Sequence, residues 1–176
     1  LEQNNRNLSI LYETSKIINS SLDLEETLKN IVDIVTNKLN YENFSILLLE
    51  NNKLILKKSD TVRKKIISSP KIELGKGITG HVAKTGCAEI VNDVSKDLRY
   101  IAVREGIKSE LAVPIKIDGK ISGVFNVEST ELNAFNDTDL FLFTALAEQT
   151  AIAIKNATIK KSLQQSNQRL KSINQI

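Results

Sequence analysis

The hydrophobic residues change their spacing several times along the chain, and each change marks an element. From Leu1 to Ile18 they fall at Leu1, Leu8, Leu11 and Ile18, a short heptad-like seam interrupted by Asn4 and Ser15. Asn19-Ser20-Ser21 ends it. Asp23, with Glu26 in the first turn, is expected to cap a helix carrying Leu24, Leu28, Ile31, Val32, Val35 and Leu39. That stripe is wide enough to pack on a core.

From Phe44 the period drops to two. Phe44 to Leu49 and Leu54 to Leu56 predict a hairpin turning at Asn51-Asn52. Lys57 to Lys65 reads as an exposed loop or strand edge, and its Arg63-Lys64-Lys65 run as solvated rather than as a phosphate contact. Ile72 and Leu74 give a short strand before Gly75, Ile78 to Lys84 a short helix closed by Gly86, and Ala88 to Val91 another short strand. Asp93 to Gly106 is polar, with one weakly helical segment near Arg99 to Glu105. Ser109 to Ile117 and Lys120 to Glu128 are two long strands joined at Asp118-Gly119, the strongest hairpin signal of the chain.

Asn136 or Asp137 is expected to cap a long final helix that buries Leu140, Phe143, Leu146, Ala147, Thr150, Ala151 and Ile154. Ile152, Asn156, Ile159, Leu163, Ser166, Leu170 and Ile173 then hold the four-three spacing of a coiled coil. Asn156 at a seam position would fix register and a two-stranded state at some cost in stability. Leu8, Leu11 and Ile18 are assigned to the same dimer contact.

Composition narrows the class without supplying chemistry. The chain has 176 residues, 41% of them apolar, which suits one compact domain with extra helix attached. Two prolines and seven glycines exclude collagen-like and linker-rich chains. No apolar run is long enough to span a bilayer, and no signal peptide is recognisable, so a cytoplasmic protein with no membrane partner is expected. A net charge of +3, from 24 basic and 21 acidic residues, is far from the concentrated charge of a nucleic-acid binder. The absence of methionine and the helical character of both ends suggest a segment of a longer protein.

Gly75-Lys76-Gly77-Ile78-Thr79-Gly80 matches a dinucleotide-binding fingerprint. The strand before it, Lys71-Ile72-Glu73-Leu74, is charged at alternate positions, and the helix after it is too short for a βαβ crossover, so the match is set aside. His81, the single histidine, has no second metal or haem ligand at helical spacing and reads as a surface or packing residue. Cys87, the single cysteine, reads as a packed thiol. No Ser-His-Asp grouping is available for hydrolysis. More informative is the parity of the last strand, where Asn126 and Glu128 share the face opposite Phe125 and Val127. That face is either solvated or roofed by the Asp93 to Gly106 segment, which would enclose a small-molecule site.

The chain resembles the GAF domain family over roughly residues 20–156. The resemblance rests on the run from Gly75 to Gly86 and on Ile90-Val91-Asn92-Asp93. It continues through Ser109 to Ile115, Gly123 to Ser129, Ala134-Phe135, and Gln149 to Ile154. The resemblance implies an α+β fold: a central antiparallel sheet of about six strands, terminal helices on one face and a ligand pocket on the other. It implies an organisation of a signalling helix at 1–19, the domain at 20–156 and a coiled-coil signalling helix at 157–176.

Such domains sense a small molecule, or only dimerise, and act on a covalently linked output domain such as a diguanylate cyclase. Departures from subfamilies narrow the ligand. Lys96-Asp97-Leu98-Arg99-Tyr100 lacks the cysteine-histidine pair of bilin binders, and a lone Cys87 departs from methionine sulfoxide reductases built on this fold. Ser129-Thr130, Phe135 and Asp139-Leu140 keep only part of the cyclic-nucleotide pattern, which permits that class rather than indicating it; among known ligand classes it ranks first.

The expected ligand set is Asp93, Asp97, Arg99, Tyr100, Val103, Ser109, Leu111, Val113, Asn126 and Glu128. In it Arg99 is the cation for an anionic group, Tyr100 a stacking surface, Ser109, Asn126 and Glu128 polar anchors, and Leu111 and Val113 the apolar floor. The resulting expectation is a non-enzymatic sensor forming a parallel homodimer. The rival is a ligand-free relay whose interior is filled by its own side chains.

Overall fold

The computed structural model describes residues 12, 14–16, 18, 23–60 and 71–173, apart from the side chain of Ile173. Leu8, Leu11, that side chain and Arg63-Lys64-Lys65 lie outside the described residues. The elements are α1 (Leu24–Asp33), β1 (Phe44–Glu50), β2 (Lys53–Ser59), β3 (Lys71–Glu73), α2 (Gly77–Thr85), β4 (Glu89–Val91), β5 (Ser109–Ile117), β6 (Lys120–Ser129) and α3 (Asp137–Ile173). The six strands form one sheet in the order β3-β2-β1-β6-β5-β4, antiparallel throughout.

Each face of the sheet carries its own apolar layer. On one side Phe44, Ile46, Leu111, Val113, Phe125 and Val127 meet Leu28 and Ile31 of α1 and Phe143, Leu146 and Ile154 of α3. On the other, Leu47, Ala112 and Val124 meet Ile78, Val82 and Ala83 of α2. Ile18 is fully buried within the first layer, and Ser15 donates a 2.9 Å hydrogen bond to Gln149. The seam assignment of Ile18 is therefore corrected: the chain's own core consumes it.

Several local expectations meet the structure directly. Asp23 takes the cap position of α1 through its backbone carbonyl, which accepts from the Thr27 amide and hydroxyl, rather than through a side-chain cap. Asn136 caps α3 with its side chain, accepting from the Thr138 and Asp139 amides while Asp139 accepts from the Asn136 amide, a reciprocal box. The weak helix expected near Arg99 to Glu105 does not form. Asp97 accepts from the Arg99 amide through its side chain and from the Tyr100 amide through its carbonyl, so local turns satisfy this backbone. Only Val94–Lys96 makes a single 3-10 turn.

The fingerprint glycines serve packing. A Cβ on Gly80 would stand 2.5 Å from the Glu73 carbonyl oxygen, so the glycine lets α2 close on β3. Gly86 ends α2 in the left-handed region at φ +71°, donating to the Val82 carbonyl.

Candidate functional site

The β5–β6 hairpin sets the chemistry of the sheet's second face. Its two-residue turn pairs Ile117 with Lys120, but the register slips by one between Ile115 and Lys116. Above that bulge Glu110 lies opposite Glu128 and Ala112 opposite Asn126. A one-residue slip exchanges the faces of a strand, because side chains alternate. Ser109, Leu111 and Val113 accordingly point to the helix-covered side, where Leu111 and Val113 are core and the Ser109 hydroxyl donates to the Glu131 carbonyl at 2.7 Å. Their assignments as pocket floor and anchor are corrected on this ground.

The face left to the site carries Ser45, Ala112, Asn126, Glu110 and Glu128, with residues 97–107 crossing over it. Arg104 comes down from that segment and is 4% exposed. Its Nη2 donates to Ser45 Oγ at 3.2 Å and to Ser59 Oγ, and lies 3.8 Å from Asp60 Oδ1. Its Nη1 stands 3.4 Å from Glu128 Oε2. Burial pushes the Glu128 carboxyl up to about 7, with Asp60 adding to that push and Arg104 opposing it. Glu110 is held well above the ordinary carboxylate range, first by burial and then by the facing charge of Glu128. The Tyr100 hydroxyl is raised by burial and by both glutamates.

Among the described residues three buried polar atoms have no hydrogen-bond partner: Arg104 Nη1, Asn126 Oδ1 and Tyr100 Oη. Val103, Asn126 and Glu128 line an inner cavity with Arg104, Ser45 and Thr79. Its volume is about 30 Å³, room for a water or two.

The remaining expected residues lie elsewhere. Asp93, Asp97 and Arg99 line an outer groove of about 940 Å³ with Glu89, Leu98 and Leu132. Arg99 is not a free cation. It binds Glu89 through both terminal nitrogens, at 3.2 and 2.8 Å, and Asp97 at 2.7 Å, which corrects its assignment as the ligand's counter-charge. Its partnership holds Asp97 below the ordinary carboxylate range. Asp93 accepts from the Ser95 hydroxyl at 2.6 Å and pairs with Lys96. Tyr100 packs its ring against the α2-side layer instead of presenting a free stacking surface. His81 contacts Glu89 at 3.0 Å.

Cys87 is exposed, a correction of the packed-thiol reading. Among the described residues no group of three or more His, Cys, Asp or Glu could hold a metal ion, and no helix is long and apolar enough to cross a membrane. The expected set omits Arg104 and Glu110. Parity with Asn126 could have found Glu110 only with the bulge known, and Arg104 lies in a stretch without a period.

Comparison with known proteins places this arrangement. Residues 21–155 match the family model described as GAF domain. A Nif-specific regulatory protein of Azospirillum lipoferum is 30% identical over 138 residues, covering 73% of this chain and 22% of that protein. The chain thus spans less than a quarter of that relative's length. A structure of free methionine-R-sulfoxide reductase from Neisseria meningitidis in complex with its substrate aligns with a TM-score of 0.80 at 20% identity, over 88% of this chain and 91% of the other. The GAF domain of an Acinetobacter phosphoenolpyruvate-protein phosphotransferase aligns with a TM-score of 0.76 at 24% identity, over 88% and 96%. At those identities the structural likeness shows the fold alone.

Proposed function

The chain belongs to the GAF domain family, and from that premise we propose that it is a regulatory sensor. It binds a small molecule beneath residues 97–107 and passes the bound state to a covalently linked output domain, such as a nucleotide cyclase, in a cytoplasmic homodimer. One observation carries the sensing: Arg104 Nη1, Asn126 Oδ1 and Tyr100 Oη are buried together without hydrogen-bond partners. An unsatisfied buried polar atom costs about 1–3 kcal/mol, and three under one segment are best explained by a group they are kept for. Dimerisation is supported by Ile152, Ile159, Leu163 and Leu170, exposed along α3 with Asn156 among them. The regulatory role is supported by the Azospirillum relative, whose name describes a regulator.

The similarity to a sulfoxide reductase raises an enzymatic alternative. Thiol reduction of a sulfoxide takes two electrons from a pair of thiols, releasing the oxygen as water and leaving a disulfide, so it needs a second thiol. This chain has one cysteine, exposed and outside the residues lining the cavity. The ligand-free relay has a specific observation of its own, since Arg104 leaves only about 30 Å³ beside Asn126 and Glu128. A ligand therefore requires residues 97–107 to lift. A cyclic nucleotide would bring its phosphate to Arg104 Nη1 in competition with Glu128.

Native mass spectrometry followed by thermal-shift titration with cyclic nucleotides and small metabolites tests the sensor. A bound mass, or a shift that rises with concentration, is expected. A clean dimer with neither, unaltered by Asn126→Ala, would leave the relay.

A further inference from the structure

Resting on the sensor reading, we infer that the ligand is a small amine whose ammonium is held by the carboxylates of Glu110 and Glu128. The two residues face each other across β5 and β6, on the same side of the sheet, and each is 4% exposed. Like charges directly opposite on adjacent strands are destabilising, and burial makes the opposition stronger.

The surrounding charges relieve it only in part. Asp60 follows β2, Glu89 lies on β4, and Asp97, Arg99 and Arg104 come from the crossing segment. Arg99 is consumed by Glu89 and Asp97, and Arg104 faces Glu128 and Asp60. Among the described residues no ion pair or hydrogen bond reaches the Glu110 carboxyl. Among the described residues Glu89 and Asp97 thus take Arg99, Glu128 has Arg104 beside it, and no cation pairs with Glu110.

The orphan atoms agree with this. Tyr100 Oη and Asn126 Oδ1 are buried oxygens without partners, and both can accept. An ammonium brings three N–H donors and no acceptor. Arg104 Nη1 is the one orphan donor, so a carboxylate or carbonyl on the same molecule completes the set. Without ligand a proton takes the place of the cation, and binding releases it to solvent.

The test is calorimetry of the chain with free amino acids, ethanolamine and putrescine, beside their N-acetylated forms and cyclic nucleotides. Binding by amines and not by acetylated partners is expected, with proton release into the buffer and weaker affinity as pH falls from about 8 to about 5. Glu110→Gln should lower amine affinity roughly tenfold or more, the scale of a charged hydrogen bond, without lowering the Tm of the free domain. Equal binding of acetylated forms, or full affinity in Glu110→Gln, overturns the amine. Cyclic-nucleotide binding without amine binding overturns it too and leaves the sensor standing. Silence from every probe, with Asn126→Ala also neutral, overturns both.

Discussion

At the scale of residues, the Arg104–Glu128 pair governs what the interior will tolerate. Arg104→Ala would strand a buried carboxylate and should cost about 3–5 kcal/mol above neutral pH, measured by urea denaturation. Below pH 6 the loss should shrink, because Glu128 then carries a proton. The unfolded chain gives up the Glu128 proton in the ordinary carboxylate range and the folded chain at about 7. Between those values the folded state holds more protons, so stability falls as pH rises. Glu128 alone should remove on the order of 3 kcal/mol by about pH 8, and Glu110 acts in the same direction. A Tm level or rising between pH 5 and 8 would contradict this, and Glu128→Gln should flatten the slope. That Asn126 and Glu128 share a face was legible from strand parity, which left open whether that face is solvated or roofed. Leu111 and Val113 misled because a bulge-free hairpin pairs Leu111 with Asn126, and the single extra residue, Ser122, moves them to the other face.

Among the elements, those with a strong period were readable and those without were not. Both long hairpins, α1 and α3 follow from alternation, helical stripes and left-handed turns at Asn51, Asn52, Asp118 and Gly119. Residues 97–107 have no period, since their shape comes from Asp97 bonding its own backbone and from ion pairs to β4. The glycine fingerprint was readable as a turn, and its reason is steric. Gly80→Ala would press a methyl group on the Glu73 carbonyl and should cost about 1–3 kcal/mol by chemical denaturation. A neutral outcome would mean that β3 yields to α2 without loss.

At the scale of the whole molecule, burial on α3 stops after Ala157, whereas the helix runs on to Ile173. Leu163 and Leu170 are each 59% exposed on that extension, so their joint replacement by glutamine should remove no core contact and turn a dimer into a monomer in light scattering. An unaltered mass would remove these residues from the interface. Phe143, Leu146 and Ile154 anchor the same unbroken helix in the core, and Lys155 ties it to Asp118 at 2.7 Å. Its 37 residues make a rod of about 55 Å, with nearly half projecting beyond the sheet. Such a rod conveys rotation as well as position. One residue inserted after Ala157 would turn everything beyond it by about 100°, and seven would bring it almost back into phase. The chain is thereby geared: whatever twists the sheet sets the angular bearing of the helix's far end, and the length of the shaft decides which bearing that is.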